Sequence, residues 1–333
     1  MTAPGTELAG VPVGISIGAY PVGFPDGDWL LERGRVLEAA GFDAVLAGDR
    51  PLWDAPHYEP ISYLGALTAT TRRARVVGVI LLPLRHPLLL ARQLSFMHYA
   101  SGGRFVLAAA IAGDYPAEFA ALGVDVRDRV ARHNESIAAM RHLWSGDEAP
   151  FVGRFGTYPG GQVKPLPPGG KVPVWLAHRA RQQSSIRRTV EVADGWLASW
   201  VNERRLTGAL ESMAQHAEEV GRDLAEIEVA VLVRFFLAED SDDAADVTAR
   251  FREATYGLHS YDPTVAQRYH ALGGPEAVRA RLRAYLAAGA QSLILQPECP
   301  LAQVDEQLQR LRDEVLVPMG FASGRGHREG EMR

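Results

Sequence analysis

Cysteine is almost absent: Cys299 stands alone in 333 residues, which excludes an internal disulfide and a thiolate metal cluster. Lysine is nearly as scarce. Lys164 and Lys171 are the two lysines in a basic total of 35, so 33 are arginine, a skew that reads as GC-rich coding rather than function. No apolar run approaches the roughly 20 residues of a membrane-spanning helix. The opening MTAPGTELAG has neither the basic nor the apolar region of a secretory signal. Net charge is −5 and the sequence pI about 6.1, which offers no cationic footprint to nucleic acid or an anionic membrane. HExxH, GxSxG, a Walker loop and a glycine fingerprint opening the first helix are all missing. The expectation is a cytoplasmic protein without metal, nucleic-acid or membrane partner.

Apolar residues make up 47% of the chain, ample for a core, and their pattern changes period repeatedly. Residues 76–82 form a continuous apolar run rich in branched side chains. Residues 88–99 then place apolar groups at helical spacing, Ser101-Gly102-Gly103 stops that helix, and residues 105–111 are a second apolar run. Strands buried on both faces read as continuous apolar runs, and parallel neighbours need a helical crossover. This is a βαβ unit. The same alternation recurs from residue 11 to residue 311, about eight strands in all, which favours a closed parallel (β/α)8 TIM barrel. One domain is expected over residues 1–322. Insertions are expected near residues 150–168, as a hairpin, and near residues 256–274, as a polar lid or binding loop. A disordered Gly-, Arg- and Glu-rich tail is expected over residues 323–333.

In a barrel, chemistry belongs just past the C-terminal ends of the strands. Ala177 ends one strand, and a helix opens near Gln183 with Ser184 and Ser185 in its first turn. Free N–H groups and the helix dipole make such a junction an anion site, and Arg179 and Arg181 add charge. On these residues alone an ordinary loop with solvated arginines is the favoured reading. Asp49 and Arg50 end another strand. Arginine stays protonated and cannot act as a base, so Arg50 either holds an anionic group or makes a structural ion pair with Asp49 or a neighbour. In the polar run that follows, His57 has the pKa suited to acid–base work, and Tyr58 with Tyr20 could orient a substrate. Val79 and Ile80 are apolar where a strand opens to the mouth.

Several motifs in order resemble the bacterial-luciferase-like superfamily. They are the turn Arg85-His86-Pro87, the helix-closing SGGRF, the following GDYPAEF, Asp194-Gly195-Trp196, and LGGPEAVRARLRAYLAAGAQSLILQP. The resemblance covers most of residues 13–319. It implies (β/α)8 enzymes using reduced flavin (FMN) or the deazaflavin coenzyme F420, commonly as homodimers. It implies a phosphate site at Ala177, His178, Arg179, Arg181 and Ser184, closed by Trp196. It also implies an apolar shelf under the ring at Val79 and Ile80, often with a non-proline cis peptide, with Ile111 and Ala112 along the same plane. Ala177-His178 replaces the usual glycine pair. Arg50 replaces a histidine proposed as base in some deazaflavin-dependent dehydrogenases, and their acidic turn is not evident near Asp114.

The leading expectation is therefore a reduced-FMN-dependent monooxygenase oxidising a small organic substrate with O2, served by a partner flavin reductase. F420-dependent hydride transfer is the runner-up, and a non-catalytic flavin-binding or accessory barrel the third reading.

Overall fold

The computed structural model describes residues 5–18, 20, 23–53, 55–113, 115–256 and 263–322. The expected tail, Asp114 and part of the insertion at 256–274 lie outside these residues. In chain order the chain forms β1 (Val13–Ile17), α1 (Gly27–Ala39), β2 (Ala44–Gly48), α2 (Pro60–Thr70), β3 (Arg75–Leu81), α3 (Pro87–Ala100) and β4 (Phe105–Ala110). Next come α4 (Pro116–Ala121), α5 (Arg129–Ser145), β5 (Phe151–Val152), β6 (Thr157–Tyr158), β7 (Val174–His178), α6 (Gln183–Val192), β8 (Gly195–Ser199) and α7 (Glu203–Val220). The chain continues with β9 (Glu228–Leu237), α8 (Ser241–Tyr256), α9 (Pro263–Tyr269), β10 (Ala271–Gly273), α10 (Pro275–Ala287), β11 (Ser292–Pro297) and α11 (Leu301–Arg310).

The strands pair in the order β9-β11-β1-β2-β3-β4-β7-β8, and β8 pairs back to β9, closing eight parallel strands into a (β/α)8 barrel. Successive side chains on a strand point to opposite faces, and the burial pattern divides accordingly. Leu46, Val77, Ala108, Trp175, Leu197, Leu232 and Ile294 fill the barrel interior. Ala47, Ile80, Ala109 and Trp196 belong to the outer core between staves and helices. Space inside is tight. A Cβ on Gly14 would come 2.7 Å from the Ala44 Cβ, and one on Gly195 would come 2.3 Å from the Trp175 ring.

Helix starts follow local chemistry. Asp26 and Asn202 accept N–H bonds in the first turns of α1 and α7, while Pro60, Pro87 and Pro275 open α2, α3 and α10, where a missing N–H costs nothing.

The hairpin expected near 150–168 is present as the antiparallel pair β5–β6. The segment expected as a polar insertion near 256–274 is described only in part. Its later part is α9 and the fully buried β10, which pairs in parallel with Phe235–Leu237 of β9. No helix among the described residues is long and apolar enough to cross a membrane.

Candidate active site at the barrel mouth

A cavity of about 260 Å³ opens at the C-terminal ends of the barrel strands. Its lining comes from inward-facing positions near the ends of seven of the eight barrel strands: Ser16, Gly48, Val79 and Leu81, Ala177, Ser199, Arg234 and Gln296. Loop residues Arg50, Trp53, His57, Arg179 and Trp200 complete it. A second cavity of about 330 Å³ shares Arg50, Leu81, Ala177, His178 and Arg179 with the first and runs on toward α6. The two make one cleft, of mixed polar and apolar lining at the barrel axis and cationic at its outer arm.

The outer arm is lined by four arginines, Arg50, Arg129, Arg179 and Arg181, by the start of α6 through Gln182 and Ser185, and by Ile111 and Ala112. No acidic residue stands in the first turn of α6. Helix N–H groups and guanidinium forks together suit a phosphate. Arg129 was missed from sequence because it begins a helix well after its strand. Ser184 instead lines a groove between α5 and α6, so Ser185, not Ser184, borders the cleft: in an α-helix adjacent residues face about 100° apart.

His178 replaces a glycine yet builds the loop. Its Nδ1 accepts the Ala180 N–H at 3.1 Å, so Nε2 carries the proton and donates to Thr189 Oγ1 at 2.8 Å. Thr189 in turn donates to the Ser185 carbonyl at 3.0 Å. Burial, followed by the charge of Arg188, pushes the His178 pKa down to about 3, so the ring is a neutral strut. Trp196 stacks on it at 5.2 Å and donates Nε1–H to the His178 carbonyl at 3.2 Å. Trp196 is fully buried on the outer face of β8. It supports the loop from behind and does not line the cleft.

Asp49 also proves to be a support. Its buried carboxylate takes two bonds from Arg85, Nη2 at 2.6 Å and Nε at 3.0 Å, and one from the Leu81 N–H at 3.1 Å. Burial pushes its pKa up while Arg85 pulls it down. Tyr58 bridges strand ends, donating to the Ile17 carbonyl at 3.0 Å and accepting the Gly48 N–H at 3.3 Å. Tyr20 is buried edge-on to Trp29, away from the cavity lining. Ile80 is fully buried in the outer core. Its neighbours Val79 and Leu81 have the inward parity and line the cavity. Among the described residues the cis peptide is Lys164–Pro165, so the end of β3 carries none.

Two sequence candidates do face the cavity with polar groups. Arg50 pairs with fully buried Glu118 at 3.3 Å and lies 4.4 Å over the Trp53 ring, so its ion-pair partner is Glu118 rather than Asp49. His57 packs on Tyr58 at 4.2 Å. Burial pushes its pKa down to about 4, and its buried Nδ1 has no hydrogen-bond partner among the described residues.

Sequence reasoning missed the opposite wall. Arg234 Nε meets buried Glu298 at 3.0 Å, Arg252 meets the same carboxylate at 2.9 Å, and both guanidiniums lie 4.4 Å from the Trp200 ring. Gln296 donates to Glu298 at 3.1 Å and accepts the Ser16 hydroxyl at 3.0 Å. The signal was available: Ser16, Arg234 and Gln296 are polar residues at inward positions of otherwise apolar strands.

Backbone strain gathers here too. The three non-glycine residues with positive φ among those described are Ala112 (63°), Ala180 (46°) and Trp200 (56°), and all line the cleft. Such conformations cost about 1–3 kcal/mol each and cluster at functional sites.

A family model described as luciferase-like monooxygenase matches residues 16–298. The chain is 25% identical over 301 residues to the F420-dependent glucose-6-phosphate dehydrogenase 1 of Rhodococcus jostii (strain RHA1), covering 80% of this chain and 87% of the relative. It is 30% identical over 154 residues to the FMNH(2)-dependent dimethylsulfone monooxygenase of Pseudomonas fluorescens (strain Pf0-1), covering 43% and 42%. In fold it is similar to a monooxygenase from Streptomyces bottropensis, with a TM-score of 0.77 at 23% identity over 92% of this chain and 98% of that one. The chain thus belongs to the luciferase-like monooxygenase family, oxidoreductases that work with a flavin or deazaflavin cofactor.

Proposed function

We propose that this protein is a reduced-FMN-dependent monooxygenase that oxidises a small organic substrate with O2, receiving its reduced flavin from a partner reductase. The residues present fit such a cofactor. Arg129, Arg179, Arg181 and Ser185 offer cationic and hydroxyl donors to its phosphate. Val79, Leu81 and Ala177 offer an apolar wall to its ring. When bound, reduced flavin supplies the electrons for oxygen activation.

The observation that carries the reading is the state of the ionisable groups at the mouth. Base-assisted hydride transfer from an alcohol needs a group that accepts a proton near neutral pH. Asp49 is taken by Arg85, Glu118 faces Arg50, and Glu298 lies between Arg234 and Arg252. His57, with its pKa down to about 4, is a weak base. By contrast Arg50 and Arg234 are well placed to stabilise negative charge that develops in a dry site. His57 lines the cavity, and its buried Nδ1 has no hydrogen-bond partner among the described residues.

The second reading, F420-dependent hydride transfer, draws on the likeness to the Rhodococcus relative over most of this chain. Anaerobic titration with reduced FMN, oxidised FMN and F420, followed by fluorescence, separates the readings. Preference for reduced FMN and substrate-dependent oxygen uptake with a reductase are expected. Selective binding of F420 would overturn the proposal, and binding of none would leave an accessory barrel.

A further inference from the structure

We propose that the cavity takes its substrate as a small, flat organic anion, an apolar body with one carboxylate or ionised enol oxygen, held between Arg50 and Arg234. The proposal rests on the oxidoreductase reading of this cavity and adds the substrate class.

In the closed ring β2 and β8 are four strands apart, so the segments that follow them face each other across the mouth. Arg50 and Trp53 follow β2, and Trp200 follows β8 with the Arg234 guanidinium over it. Each guanidinium is backed by an indole at 4.4 Å and braced by a buried carboxylate, Glu118 on one side and Glu298 on the other. A guanidinium has five N–H donors, more than one carboxylate uses. Bracing from behind fixes the plane of the fork, the arrangement that recognises an anionic oxygen pair.

The floor between the two walls is apolar, formed by Leu46, Leu197 and Leu232. The carboxylate in the lining, Asp49, has a side chain with 0% exposure and is engaged by Arg85. An entering anion therefore meets the heads of Arg50 and Arg234, with Arg179 toward the outer arm, over a hydrophobic bed and without an opposing exposed carboxylate in the lining. A neutral substrate of the same shape would offer those heads no opposite charge in exchange for the water it displaces. Arg50 also borders the phosphate arm, which places the anion close to the cofactor while Arg179 and Arg181 serve the phosphate.

Calorimetric titration of the cofactor-free protein with benzoate and with its neutral counterpart benzamide tests this. Neither FMN nor O2 enters the measurement, so its failure is distinct from failure of the monooxygenase reading. Benzoate is expected to bind at least about tenfold more tightly than benzamide, and Arg234→Gln or Arg50→Gln should each weaken benzoate about tenfold or more. Either variant suffices if the other fails to fold. Equal binding of acid and amide, or no binding of benzoate, would overturn the proposal. So would displacement of benzoate by inorganic phosphate combined with indifference to both substitutions, because the acid would then sit in the phosphate arm.

Discussion

Asp49 and Arg85 lock the end of β2 to the turn after β3, with Nη2–Oδ1 at 2.6 Å and Nε–Oδ2 at 3.0 Å around a carboxylate that exposes nothing to solvent. Removing one partner of a buried pair leaves a charge without compensation. Asp49→Ala is therefore expected to destabilise the fold by about 3 kcal/mol, read as a lower denaturant midpoint. The neighbouring Arg50 would lose its fixed base at the same time. An unchanged midpoint would reduce the pair to a minor contact.

The cationic outer arm, where we propose the cofactor phosphate binds, gives a second prediction. Arg179 and Arg181 border the cleft beside the start of α6, and charge-assisted hydrogen bonds contribute about 1.5–3 kcal/mol each. Replacing both by alanine should weaken FMN binding on the order of a hundredfold or more. Ser212→Ala, on an exposed part of α7, should leave it alone. Quenching of flavin fluorescence reports the affinities; equal effects would remove the assignment.

Histidines set the acid limit of stability. His57, His133 and His178 have pKa values pushed down by burial to about 4, 4 and 3, against about 6.5 in the unfolded chain. All three are neutral in the fold above these values, and between them and 6.5 the unfolded chain binds more protons. Stability is therefore fully present above pH 6.5 and lost as pH falls toward 4. The slope reaches up to about 4 kcal/mol per pH unit near pH 5 for three protons. Denaturation series at stepped pH should show it, with His98 and His270 pushed down by burial in the same sense, and His178→Gln should flatten the slope by less than about a third. A slope unchanged by that substitution would mean His178 is not buried neutral.

Inside the barrel, Gly195→Ala is expected to cost about 1–3 kcal/mol by overpacking. Its Cβ would meet both the Trp175 ring at 2.3 Å and the Glu228 carbonyl oxygen at 2.9 Å, and that backbone oxygen belongs to the ring closure and has little room to move. Thermal melting is the direct check, and a neutral result would mean the β8–β9 seam is looser than its contacts imply.

The barrel was legible because buried strands and amphipathic helices alternate in period along the chain, and the outer arm was legible because arginines and a helix start sit together in sequence. The inner cavity was less so. Val79 and Ile80 are adjacent, and only parity tells that the first faces the cavity and the second the helices. Asp49 reads as a candidate group at a strand end until Arg85, 36 residues on, closes on it. The β10 strand escaped notice because three residues carry no period of their own, and its identity comes from pairing with β9. The Arg234–Glu298–Arg252 cluster joins residues from β9, the end of β11 and α8, a meeting that only the closed ring brings about.

Ala112, Ala180 and Trp200 hold backbone angles that side-chain-bearing residues resist, and the staves beneath them supply the restraint. The protein is thus a stiff drum carrying a tensioned rim. Heat should slacken the rim before it breaks the drum, so the capacity to hold a cofactor would fade while the strands remain paired. Cofactor retention and unfolding temperature would then be separate properties of this molecule, governed by different residues.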